Sequence, residues 1–157
     1  MIINYVENYQ LIEYNKLGWW SMSLKMISTK EEVQEFLTDL KAILLDKNFD
    51  VHRDLDIIQK KKHELPTDPF TTLNTLLALS FDLKDIVNEL LSLELHDYIE
   101  TFIDDKGSLF PPFYTFGKDI NKREVYIKVK IRDRVKNKVF CVSFYFARYP
   151  LSKSRPY

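Results

Sequence analysis

The sequence predicts an α+β domain with N-terminal helices packed on a C-terminal antiparallel sheet. Two observations carry this. Between Thr29 and Leu91 the apolar residues recur at helical spacing behind capping residues, and after Leu95 the period shortens to two within aromatic and β-branched runs. The length of 157 residues, with 45% hydrophobic and 14% aromatic content, suits one core.

The first firm helix runs from Lys30 to Leu45. Thr29 and Glu32 form a capping box, and Val33, Phe36, Leu37, Leu40, Ile43 and Leu44 form its apolar stripe. Residues Asn48 to Lys62 are mixed, with short extended candidates around Val51 and from Leu55 to Gln59. Lys60, Lys61 and Lys62 read as a solvated loop. A second helix opens at Asp68 with Pro69 in its first position and carries Phe70, Leu73, Leu76 and Leu77. A third opens at Asp82 and carries Leu83, Ile86, Leu90 and Leu91. These stripes face a core and call for no cofactor.

Strands follow in HDYIETFIDD and FYTFGKDI, separated by Gly107, Pro111 and Pro112. The last two, EVYIKVKIRD and KVFCVSFYFAR, flank a charged turn from Asp133 to Asn137. In the first of these, Val125, Ile127, Val129 and Ile131 share one face and Tyr126, Lys128, Lys130 and Arg132 the other. In the second, Phe140, Val142, Phe144 and Phe146 form the apolar set, leaving Cys141, Ser143 and Tyr145 beside Tyr126 and Lys128.

Residues 1–28 read as an N-terminal arm, dispensable or upstream of the true start of translation, and residues 29–157 as the single domain. Nothing before Thr29 shows helical or strand periodicity. The lone Cys141 permits no intramolecular disulfide, no basic start precedes an apolar run, and no run approaches the roughly 18 residues of a membrane span, so a cytoplasmic protein with no membrane partner is expected. The net charge is zero, yet from Lys118 onward twelve Lys or Arg face three acids, a local net of +9. Such asymmetry suits a polyanionic partner.

No phosphate-binding glycine loop is present. His52, His63 and His96 lack ligand spacing and read as surface residues, and Cys141 reads as a strand residue; no metal and no cofactor are implied. What remains is a sheet face of Tyr, Lys and Arg, which suits RNA cleavage without metal. That reaction needs a deprotonated 2′-hydroxyl, neutralised phosphate oxygens and a proton for the departing 5′-oxygen. The same residue types would equally serve a non-catalytic RNA- or protein-binding module.

The stretch FGKDINKREVYIKVKIRD with KVFCVSFYFARYPL, preceded by DLKDIVNELLSLELHDY, resembles the MqsR-like toxins of bacterial type II toxin–antitoxin systems. The resemblance spans roughly Thr29 to Leu151 and is sharpest at Val125-Tyr126-Ile127-Lys128 and Val142-Ser143-Phe144. It implies a RelE-like fold and a metal-independent endoribonuclease, with messenger RNA and a cognate antitoxin as partners. It places a functional tyrosine at Tyr126, with Lys128 on the same face. Where the family has a functional lysine this chain has Tyr145, and the nearest polar counterpart of a functional glutamine is Lys118. Lys118, Tyr126, Lys128 and Tyr145 are thus the expected catalytic set, and Arg123, Lys130, Arg132 and Arg148 the expected RNA-binding cations.

Overall fold

A computed structural model describes residues 9–14, 20–151 and 155–157, with the backbone alone up to residue 23. Residues 1–8 and 15–19 of the arm, and residues 152–154, lie outside the described residues. The elements are β1 (Tyr9–Tyr14), β2 (Trp20–Met26), α1 (Lys30–Leu45), α2 (Val51–Asp54), β3 (Leu55–Ile57), α3 (Thr72–Leu79), α4 (Leu83–Leu91), β4 (Tyr98–Phe102), β5 (Phe113–Ile120), β6 (Arg123–Asp133) and β7 (Lys138–Phe146). The strands form one sheet in the order β1-β2-β4-β5-β6-β7-β3. Every pairing is antiparallel except that of β3 with β7. The chain is therefore α+β. Among the described residues no helix is long and apolar enough to cross a membrane.

Capping chemistry sets the helix starts. Thr29 Oγ1 accepts the Glu32 N–H at 3.2 Å and the Glu32 carboxylate accepts the Thr29 N–H at 2.7 Å, so α1 begins and ends as its sequence indicates. Asp82 and Asp85 repeat the device at α4. The second helix departs from expectation. Asp68 accepts the Phe70 N–H in a preceding turn, and Thr71 is the cap, so α3 starts at Thr72. Its inward residues are Thr72, Thr75 and Leu76, whereas Leu77 is 67% exposed. The threonines face inward because Thr72 Oγ1 and Thr75 Oγ1 accept the Phe144 and Phe146 N–H groups at 3.2 and 2.9 Å. They satisfy the half of β7 that short β3 does not reach. Val51, expected to be extended, is helical because Asp50 accepts from the His52 and Arg53 N–H groups.

One buried cluster joins α1 (Val33, Phe36, Leu40), Leu76 of α3, and Ile86 and Leu90 of α4 to Phe116, Ile127, Val129 and Phe144 of the sheet. Strands also form in the arm, where the sequence shows no strand periodicity. β1 and β2 pair with each other, β2 continues onto β4 through Lys25 and Met26, and Ser28 is buried with its N–H donating 2.9 Å to the Tyr98 phenol oxygen. β1 lies at the edge of the sheet, where neither face has to be uniformly apolar, so two-residue alternation need not show there.

Candidate functional site

Strand β6 presents its faces as its alternation requires: Val125, Ile127, Val129 and Ile131 are buried in the core, with Tyr126, Lys128, Lys130 and Arg132 on the opposite side. Strand β7 does not keep its alternation. Lys128 pairs with Ser143 but Val129 pairs with Cys141, so Val142 is an extra residue and β7 switches faces there. Ser143 and Tyr145 stay beside Lys128 and Tyr126 as expected. Cys141 moves into the core, fully buried, and Phe140 takes its place on the open face, edge-on to Phe113 at 5.9 Å.

Acids and rings occupy the Phe140 end of that face. Lys130 is buried, 2.6 Å from Asp104, and Arg132 lies 2.6 Å from Asp56 with its guanidinium 4.2 Å over the Phe140 ring. The Lys128 ammonium is 4.0 Å over Phe102. Toward the other end the face opens into a cleft of about 530 Å³. Tyr126 and Tyr145, cross-strand partners stacked at 5.3 Å and 26°, line it.

The loop after β3 supplies Lys61, His63 and Glu64 to this cleft, joined by Asp68 and Phe70 before α3 and by Arg148 after β7. A tight turn orients the loop: the Glu64 carboxylate accepts the Lys61 N–H at 3.1 Å and the Glu64 N–H donates to the Lys61 carbonyl at 3.2 Å. Lys61 Nζ donates to Ser143 Oγ at 3.3 Å and lies 5.6 Å over the Tyr145 ring. Arg148 donates to Asp68 at 2.7 Å and stacks 4.6 Å over Phe70.

Burial above all, then the charges of Tyr145 and Glu100, pushes the Tyr126 phenol well above its usual range. It therefore stays protonated and can donate a hydrogen bond, but cannot serve as a base. The Phe70 N–H first, and Arg148 after it, hold the Asp68 carboxyl below its usual range, so Asp68 stays charged beside Arg148. Burial raises the Cys141 thiol to about 12, which leaves no thiolate nucleophile.

Of the expected catalytic set, Tyr126 and Tyr145 lie together in the cleft, and Lys128 follows on the same face. Lys118 does not join them. It pairs with Val125 across β5 and β6, so its side chain leaves on the helix-bearing side, where Nζ donates 3.2 Å to the Ser92 carbonyl. Arg123 lies on that side too, its guanidinium 3.5 Å over the core residue Phe146. Among the expected RNA-binding cations only Arg148 lines the cleft; Lys130 is a buried structural cation and Arg132 sits at the far end. Lys61 and His63 are the residues that sequence reasoning missed. The loop that holds them has no periodicity, and only the parallel docking of β3 on β7 carries it to the face.

Among the described residues no group of three His, Cys, Asp or Glu side chains stands close enough to hold a metal ion. These features define an α+β protein with a polar cleft based on two stacked tyrosines. Comparison of the chain with models of protein families, with curated proteins and with solved structures gives no match in any of the three.

Proposed function

We propose that this chain is a metal-independent endoribonuclease, a toxin of a type II toxin–antitoxin system related to the MqsR-like family on a RelE-like scaffold, and that it cuts messenger RNA in the cleft over Tyr126 and Tyr145. The observation that carries this reading is the convergence of a stacked tyrosine pair with Lys61, His63 and Arg148 in one cleft. His63 supplies the imidazole nitrogen that takes the proton of the 2′-hydroxyl. The 2′-oxygen then bonds to phosphorus as the bond to the 5′-oxygen breaks, leaving a 2′,3′-cyclic phosphate. Lys61 and Arg148 offset charge growing on the phosphate oxygens, and the protonated Tyr126 donates to them. The proton for the departing oxygen comes from Lys61. A base stacks on Tyr145, while Lys128 meets a neighbouring phosphate. In the resemblance a lysine is expected where Tyr145 stands; Lys61, over that ring, supplies an ammonium from another element.

The test is cleavage of a defined RNA in EDTA by the purified protein, freed of any neighbouring antitoxin, with 5′ ends mapped and the cyclic phosphate identified. His63→Ala and Lys61→Ala should each slow cleavage by roughly a hundredfold, and Tyr145→Lys should be tolerated. A second reading, a non-catalytic RNA- or protein-binding module, is favoured by the carboxylates beside Arg148, Arg132 and Lys130. RNA that binds, with affinity falling steeply with salt, but is never cut would decide for the module.

A further inference from the structure

The cleft sets a carboxylate against one of its cations. Asp68 ties a turn with one oxygen, since Oδ1 accepts the Phe70 N–H at 2.9 Å. Oδ2 is turned to Arg148, whose Nη2 donates to it at 2.7 Å, while the guanidinium carbon stands 4.6 Å from the centre of the Phe70 ring. Asp68, Phe70 and Arg148 all line the cleft. One turn thus presents the guanidinium with a carboxylate at its edge and a ring against its face.

Side-chain bonds hold that turn in place. The Asn74 amide donates to the Pro66 carbonyl at 2.9 Å and to the Asp68 carbonyl at 2.7 Å, and Thr71 Oγ1, the cap of α3, donates to the Asp68 carbonyl at 3.3 Å. Helix α3 is bonded in turn to β7 on both sides of Tyr145, through Thr72 to the Phe144 N–H and through Thr75 to the Phe146 N–H. Asp68 is therefore built into the same frame as the stacked tyrosines. An ion pair whose arginine is 51% exposed adds little stability, because water competes for both partners, so stability does not account for the arrangement.

We infer that Asp68 is a positioning residue: with the Phe70 ring it fixes the Arg148 guanidinium in one orientation, with donors left over for the oxygens of an RNA phosphate in the cleft. The inference rests on the ribonuclease reading above. A guanidinium carries five N–H donors in a rigid fork, so a carboxylate bonded at one end leaves others for a phosphate. An arginine that turned at will would have to be ordered as charge grows on the phosphate oxygens, whereas one already fixed stabilises that charge without reorganisation. The carboxylate also repels RNA. A group that opposes binding yet speeds the chemical step separates KM from kcat.

The test is steady-state cleavage of a defined RNA by the parent, Asp68→Asn, Arg148→Ala and the double variant, together with nitrogen relaxation at Arg148 Nε by NMR. Asp68→Asn keeps an oxygen for the Phe70 N–H and replaces the charge facing Arg148 by an amide. It should lower kcat roughly tenfold, while KM stays level or falls because the cleft has lost a negative charge. In the Arg148→Ala background the same change should leave kcat as it is, since the group it positions is gone. Arg148 Nε should be rigid in the parent and mobile in Asp68→Asn. A kcat unchanged or raised in Asp68→Asn, an equal loss with and without Arg148, or an Arg148 side chain equally mobile in both proteins overturns the inference and leaves Asp68 a competitor of the phosphate. RNA bound but never cut by the parent overturns the ribonuclease reading; the fixed fork then stands if Arg148 Nε is rigid only while Asp68 is present, and falls if it is not.

Discussion

Replacing Asp104 by Asn removes the carboxylate that holds the ammonium of Lys130 under the sheet's aromatic cover. The side chains of this pair are 7% and 10% exposed, their atoms 2.6 Å apart, and the ammonium also sits 4.5 Å from the centre of the Phe113 ring. Alternation alone makes Lys130 a surface residue, for which a substitution costs within about 0.5 kcal/mol. Burial changes the expectation. Breaking a buried ion pair by removing one partner costs about 3–5 kcal/mol, because the remaining charge is left without compensation. Water can reach the edge of the pair once the carboxylate is gone, so Asp104→Asn should fall at the lower end, about 3 kcal/mol. Lys130→Met should cost less, since Asp104 keeps the Lys106 N–H at 2.9 Å, and the double variant should recover part of the Asp104→Asn loss. Urea denaturation of the four proteins at neutral pH measures all of this.

The pH dependence follows with its sign. Lys130 chiefly, with the Lys106 N–H after it, lowers the folded-state pKa of Asp104 below its unfolded value. The resulting stability is fully present above the ordinary carboxylate range near pH 4 and is lost as pH falls through the lower folded value. Lys130→Met should flatten that acid limb. If Asp104→Asn costs no more than an ordinary surface substitution and RNA affinity falls sharply in Lys130→Met, the ammonium is solvated and belongs to the binding surface, and the burial argument is refuted.

Thr75→Val keeps shape but removes the acceptor for the Phe146 N–H, and should cost about 1–3 kcal/mol in the same assay while Thr75→Ser costs far less; equal costs would mean that the hydroxyl is not satisfying the strand. Cys141 should resist iodoacetamide in the native protein and react once denatured, as mass spectrometry reads it, and rapid native labelling would contradict its burial and raised pKa. A chain beginning at Ser23 should fold, by circular dichroism and a cooperative thermal transition, because it keeps the Ile103 N–H bond to the Leu24 carbonyl and the Lys25–Glu100 ion pair. An insoluble product would make the β1–β2 hairpin a required part of the sheet.

Local rules account for what could be read directly. Thr29 with Glu32, and Asp82 with Asp85, bond to the backbone within one turn, so the starts of α1 and α4 depend on neighbours only three residues away. The two faces of β6 follow from a period that belongs to the extended chain itself, and Tyr126 therefore stands on the open face as expected. Pairing between distant segments decided the rest. The extra residue at Val142 has no local signature, yet it sends Cys141 inward and Phe140 outward, because a bulge is a relation between two strands. Register likewise turned Lys118 to the helix side, and partners far along the chain turned Lys130 from a surface cation into half of a buried pair. Lys61 and His63 enter the cleft only because β3 docks parallel to β7. The sequence by itself determined where α1 and α4 begin and which face of β6 is polar, since both rest on backbone geometry over a few residues; the tertiary structure decided which polar groups meet there, since that rests on contacts between segments dozens of residues apart.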